Sequence, residues 1–348
     1  MHLTRPKMVV VGLVAIALAL AGCSRETPSD TVTLTFADGF SATHPIGKGG
    51  AQPFLTYLQE HGPSVGLEID YFAAGQLGTA KDALHLLRSG AVDLAPVIPA
   101  YLANELPMSS VGELPGLVEN TCAATGALMP MVRPGGILYE QEIERQEALP
   151  LWGIAIPGYE IFTSDRRIAR PADLGGMLIR SFGGVGDRVV AGLGAAPVQI
   201  SGPDLYEAVA RKTVAGALLT TISVAPYGLE DVLGYSTSGA NLSSTTVLYS
   251  TSQQAWEELD SEQRNVLMEA SRVAQQSGCD TLTKVSKEAM DDMAAGGIEI
   301  TEVAENEQAW DDALEPVRER WVDDLTSVGM PAGDVLDEFQ RRLDGENR

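Results

Sequence analysis

Positive charge is scarce in this 348-residue chain, where 24 Lys and Arg stand against 47 Asp and Glu for a net charge of −23. Nucleic acid partners need a basic surface to neutralise phosphate, so they are excluded. The acidity itself names no ligand, because solvated surface carboxylates account for it. Histidine is sparse too, and His44, His61 and His85 lie too far apart in sequence for HExxH or any other short-spaced metal set. Cysteine is limited to Cys23, Cys122 and Cys279. The last two are widely separated and lack metal-ligand spacing, so buried free thiols are the default expectation and one disulfide the alternative. No G-x-S-x-G elbow, S-x-x-K pair, EF-hand loop or P-loop is present. The sequence therefore points to no catalysis, no cofactor and no metal.

Long apolar runs are also lacking. The longest, residues 8–20, falls short of the roughly 20 residues that cross a bilayer. It follows Arg5 and Lys7 and closes on Leu20-Ala21-Gly22-Cys23, the pattern of a lipoprotein signal peptide over residues 1–22. Cys23 would carry the lipid, and residues 23–30 would form a short polar tether to the membrane surface.

What is present after residue 30 alternates in period. VTLTFA reads as a strand, residues 51–58 as a helix stopped by Gly62-Pro63, LEIDYF as a strand, residues 79–89 as a helix, and VDLAPV as a strand. This β-α-β-α-β series implies parallel strands, with a ligand crevice outside their carboxyl ends and the loops after Ala37, Phe72 and Val97 facing it. A second series begins at Leu149 with LPLWGIAI and runs through EIFTS, MLIRSF, DRVVAGL, APVQI, PDLYEAVAR and VAGALL. Helical patterns then dominate, opening on a capping box at Asp260 and Gln263 and continuing to Ala289.

The fold class expected is α/β, two-lobed and periplasmic-binding-protein-like, with a ligand cleft between lobes and a long bracing helix. Residues 31–148 and about 238–275 would form lobe 1; residues 149–237 and about 276–348 would form lobe 2. A chain this long exceeds what one core usually organises.

The ordered motifs LTFADGFSATHP, AAGQLGTAKDALHLLRSGAVDLAP, RPADLGGMLIRSF and GLGAAPVQISGPDLYEAV resemble the extracytoplasmic solute receptors of tripartite ATP-independent periplasmic (TRAP) transporters, of the DctP type. The resemblance covers nearly the whole chain after Cys23. It implies a monomeric extracytoplasmic receptor, held at the cell membrane through Cys23, that hands a small polar solute, an organic acid or other carboxylate, to TRAP permease subunits. It also implies that Arg180 offers a bidentate fork to a substrate carboxylate, which suits a planar guanidinium at a strand end. An internal salt bridge or surface charge is the competing role for Arg180.

Two departures from the family pattern weigh against a dicarboxylate or sialic-acid style of ligand. Glu160 stands where many relatives carry a basic residue, and Ala215-Gly216 replaces an Asp-Gly. A Glu160–Arg180 pair would let the pocket take a zwitterion, amide or polyol as readily as a simple acid. Phe40, Gln76, Tyr101, Phe182, Thr220 and Thr221 complete the candidate ligand contacts, with core packing or loop structure as the competing role for each. His44 is placed either to touch ligand or to cap a turn, and the FGGVGD run is read as a chain turn before a phosphate cradle. A receptor of another transporter class, a sensor input, and an exported hydrolase are the alternatives.

Overall fold

The computed structural model describes residues 31–156 and 158–346. The expected signal peptide, Cys23 and the expected tether lie outside the described residues. Among the described residues no helix is long and apolar enough to cross a membrane.

The first α/β series forms as the periodicity requires. In β1 (Val32–Ala37) the alternating Leu34 and Phe36 are buried. α1 (Gln52–His61) buries Phe54, Leu55 and Leu58 on one face. β2 (Leu67–Phe72), α2 (Ala83–Arg88) and β3 (Leu94–Val97) follow, and β1 pairs in parallel with both β2 and β3. The chain continues through α3 (Thr121–Val132), β4 (Ala148–Ile156) and β5 (Tyr159–Thr163). Next come β6 (Leu178–Ser181), α4 (Gly184–Gly192), β7 (Ala196–Gln199), α5 (Leu205–Ala210) and β8 (Gly216–Thr220). β9 (Tyr235–Ser238), β10 (Thr245–Ser252) and α6 (Gln253–Glu258) precede α7 (Ser261–Ala295). β11 (Glu299–Glu302), α8 (Glu307–Ser327) and α9 (Ala332–Glu346) close the chain.

Two sheets result, ordered β2-β1-β3-β10-β4 and β11-β9-β5-β8-β6-β7. β10 runs antiparallel to β3 and β4, and β5 antiparallel to β8 and β9, so each sheet contains one strand set against its neighbours. The boundary expected at Leu149 shifts accordingly. LPLWGIAI lies in β4, which hydrogen-bonds along its length to β10 in the first sheet, and the chain crosses to the second sheet between Ile156 and Tyr159. It returns between Ser238 and Thr245.

α7 is the long bracing helix, 35 residues and so about 50 Å in length. Its capping box forms as expected: Asp260 Oδ1 accepts from Gln263 N at 2.9 Å, and Gln263 Oε1 accepts from Asp260 N at 3.0 Å. Most of α7 packs on α1, α3 and β4 of the first lobe, while Met290 and Met293 near its end join the core of the second. α8 lies against α4, and α9 returns to pack on α3, so the C-terminal segment divides between the lobes where the sequence assigned it to lobe 2 alone.

The cysteines correct the free-thiol expectation. Cys122 in α3 and Cys279 in α7 form a disulfide with their Cα atoms 5.1 Å apart. Helix packing brings together residues separated by 157 positions, a pairing that no local pattern encodes.

Candidate functional site

Strand β6 delivers Arg180 to the cleft. The backbone then turns at Gly183 (φ 97°) and Gly184 (φ 52°), left-handed positions that favour glycine, and enters α4. A Cβ on Gly183 would sit 3.1 Å from the carbonyl of Ala100, so this turn brings the second lobe directly against the first lobe's 99–101 segment. The FGGVGD run is thus a tight interlobe turn.

Between the lobes lies a cavity with about 460 Å³ of atom-free space counted out to its mouth. Phe40, Tyr101, Tyr159, Phe182 and Tyr227 supply aromatic walls, and Thr220, Ser223 and Thr245 add hydroxyls. Arg180 is the single charged side chain among the described lining residues. It is 3 % exposed. Its Nε donates to Ile200 O at 2.8 Å and its Nη1 to Leu218 O at 3.0 Å, which fixes the plane of the fork with donors to spare. Among the described residues it has no ion-pair partner. A guanidinium stays charged, and a buried charge without a counter-ion is costly, so the site is poised for an anion.

The aromatic walls are themselves fastened. Tyr159 and Phe182 meet edge to face with ring centroids 5.1 Å apart, and the Tyr159 hydroxyl lies 2.9 Å from Thr245 Oγ1 across the lobes. Burial pushes the Tyr159 and Tyr227 hydroxyls above the usual phenol range, so both remain neutral hydrogen-bonding groups. The loop carrying Phe40 is held by Asp38, whose carboxylate accepts from Phe40 N at 2.9 Å and from the Tyr71 hydroxyl at 3.0 Å. Burial raises Asp38 to about 6 despite these hydrogen bonds.

His44 sits between Phe40 and Tyr227, at centroid distances of 5.1 and 5.4 Å. Its Nδ1 accepts from Ile46 N at 3.2 Å, which places the proton of the neutral ring on Nε2, facing Ser223 Oγ at 3.5 Å. Burial lowers its pKa to about 4. This tautomer donates to the serine. A general base would have to accept from it, so the His44–Ser223 pair is an interlobe contact without the arrangement of a nucleophile and its base.

Of the residues expected at the site, the structure brings Phe40, Tyr101, Arg180, Phe182 and Thr220 to the cavity lining. Gln76 is exposed in the turn after β2 and lines no part of it. Thr221 is buried one residue beyond the lining, its N donating to Gly158 O at 3.3 Å.

Glu160 and Arg180 do not pair. β8 lies between their strands, and the Glu160 carboxylate turns the other way, toward β9. It accepts from Thr237 Oγ1 at 2.5 Å, Gly239 N at 3.0 Å and Ala240 N at 3.3 Å. Burial raises its pKa to about 7 against the pull of those hydrogen bonds. Its work is to tie down the start of the crossover to β10. Tyr159, Ser223, Tyr227 and Thr245 were not anticipated. An aromatic next to each chain reversal, PGY at 157–159 and PYG at 226–228, is the one signal that could have pointed to the two tyrosines.

Comparison with known proteins bears on this geometry. The model of the DctP family, described as bacterial extracellular solute-binding protein, family 7, matches residues 36–324. A protein of Albidiferax ferrireducens named solute-binding protein is 26 % identical over 153 residues, so the match spans 44 % of each chain. Among solved structures, a TRAP solute-binding protein from Rhodoferax ferrireducens in complex with copurified benzoate superposes with a TM-score of 0.81 at 19 % identity, covering 91 % of this chain and 99 % of that one. A marine-metagenome TRAP solute-binding protein with 3-hydroxybenzoate gives 0.82 at 19 % identity over 92 % and 100 %. A Bordetella bronchiseptica TRAP periplasmic solute-binding protein with bound mandelate gives 0.79 at 18 % over 90 % and 99 %.

Proposed function

The chain belongs to the DctP family of bacterial extracellular solute-binding proteins, family 7, and from that premise we propose that it is the solute receptor of a TRAP transporter, selective for a small ring-bearing monocarboxylate. The observation that carries this reading is Arg180: a buried guanidinium with no counter-ion among the described residues, opening on a cavity walled by aromatic rings. The solute carboxylate takes the free donors of the fork through charge-assisted hydrogen bonds, and its ring packs among Phe40, Tyr159, Phe182 and Tyr227. Structural relatives solved with benzoate, 3-hydroxybenzoate and mandelate support this choice of class.

Ligand bridging drives the mechanism. The carboxylate is held by the second lobe while Phe40 and Tyr101 come from the first, so occupancy favours the shut form by its differential affinity. Membrane permease subunits then accept the shut form and release the solute. The receptor works outside the cytoplasm as a monomer, anchored through lipidated Cys23, without catalysis or cofactor.

A thermal-shift panel of matched acids and amides tests the assignment. Benzoate at about 100 times its dissociation constant is expected to raise the melting temperature by roughly 5 °C or more, because ligand bound only to the folded state stabilises it by mass action. Benzamide, equal in shape and uncharged, is expected to leave it unmoved. Equal responses to acid and amide, or none to any acid, would overturn the assignment.

A further inference from the structure

Beside the Arg180 cavity lies a second hollow of about 230 Å³, open to solvent. The two share Phe40, Ile98, Tyr101 and Tyr227, so these side chains form a waist with space on both sides. Gly202 helps to shape it. A Cβ there would fall 2.9 Å from the Tyr227 ring, so only glycine lets that ring lie against the 201–204 loop.

The chambers differ in chemistry. Beyond the waist the walls are small residues and backbone from both lobes, Ala74, Ala80 and Pro203 among them. The single charged side chain in the described lining is Asp204. Exposed at the rim, its carboxylate accepts from the Ser201 hydroxyl and keeps further lone pairs available. The paired chambers thus offer one cation at the inner end and one anion at the outer end. A second carboxylate on a ligand would meet Asp204 as a like charge, whereas a hydroxyl would find an acceptor there.

We infer that the outer chamber is a second subsite, and that the solute is an elongated monocarboxylate, an arylalkanoic acid passing between Tyr101 and Tyr227 with a distal hydroxyl directed to Asp204. The inference rests on the reading that the carboxylate binds Arg180, and it adds the length of the solute and the polarity of its far end. The small-walled space behind the waist admits a ring without displacing a large side chain.

Calorimetric titration of the protein with four acids tests this. The probes are benzoate, 3-phenylpropanoate, 3-(4-hydroxyphenyl)propanoate and 3-(4-carboxyphenyl)propanoate. Affinity is expected to rise at least tenfold from benzoate to the hydroxylated acid, and to fall at least tenfold when its hydroxyl is replaced by carboxylate. Ala80→Trp, which fills the outer chamber, is expected to weaken the two longer monoacids at least tenfold and leave benzoate within twofold. Asp204→Asn is expected to recover binding of the dicarboxylate. Binding of benzoate with no gain for the longer acids, or an equal loss for short and long acids in Ala80→Trp, would overturn the subsite while leaving the Arg180 reading intact. Failure of every acid to bind would overturn both.

Discussion

The two lobes are fastened differently. In the first, a disulfide joins α3 to α7 and α9 packs over α3, so both ends of the C-terminal helical run meet on that one helix. In the second, no disulfide occurs among the described residues. Its own smaller cluster forms around Phe162, Leu205 and Leu229, with Met293 from the end of α7. The site draws on both lobes: Phe40, Ile98, Tyr101 and Thr245 come from the first, while the second gives the one charge, Arg180, with Tyr159, Phe182 and Tyr227. The second lobe thus holds the ligand's charge and, through Tyr159, Phe182 and Tyr227, much of its ring, while the first lobe closes the cavity with Phe40, Ile98 and Tyr101.

The contrast can be broken most directly at the disulfide. Cys279→Ser, or reduction of the bond, is expected to cost about 2–5 kcal/mol of stability, since the link closes a long loop in the unfolded chain. Denaturant unfolding measures that loss. Benzoate affinity is expected to stay within twofold, because neither cysteine lines the cavity. A large fall in affinity would mean that the first lobe is not the fixed partner described.

A smaller effect separates the lobes by pH. Asp38 in the first lobe is raised to about 6, and Glu160 in the second to about 7. From about the ordinary carboxylate range up to these values, the folded chain keeps a proton that the unfolded chain has released. Stability contributed by each group is therefore full at lower pH, is lost as pH rises through that window, and changes no further above the folded value. Between pH 6 and 7 Glu160 contributes at most about 1.4 kcal/mol per pH unit, beside the buried Glu113, which burial raises well above the ordinary carboxylate range. Glu160→Gln is expected to lessen the slope of the melting-temperature profile from about pH 4.5 to about 7, leaving in place the part below about pH 6 that Asp38 contributes. An unchanged profile between 6 and 7 would remove Glu160 from its place at the crossover.

Local pattern made much of this legible. The β-α-β series, the capping box at Asp260 and Gln263, and the placement of Arg180 at a strand end all follow from period and residue type. Long-range pairing did not. The apolar run of β4 reads as a strand, but its membership of the first sheet depends on β10, nearly a hundred residues later. Glu160 was expected near Arg180 because it stands where many relatives carry a basic residue; the sheet order places β8 between them and offers Glu160 three donors near β9. Gln76 follows a strand whose loop does face the cleft, yet the turn carries its side chain to solvent. Tyr159 and Tyr227 reach the cavity only because of the chain crossing and the interlobe approach, neither of which has a sequence period.

Binding of benzoate and of benzamide to the wild-type chain and to Arg180→Ala, measured as one thermodynamic cycle, tests the central claim. Each charge-assisted hydrogen bond contributes about 1.5–3 kcal/mol, so benzoate is expected to weaken at least about 100-fold in the variant while benzamide changes little. Equal weakening of acid and amide, or benzoate affinity that survives the loss of the guanidinium, would contradict the account.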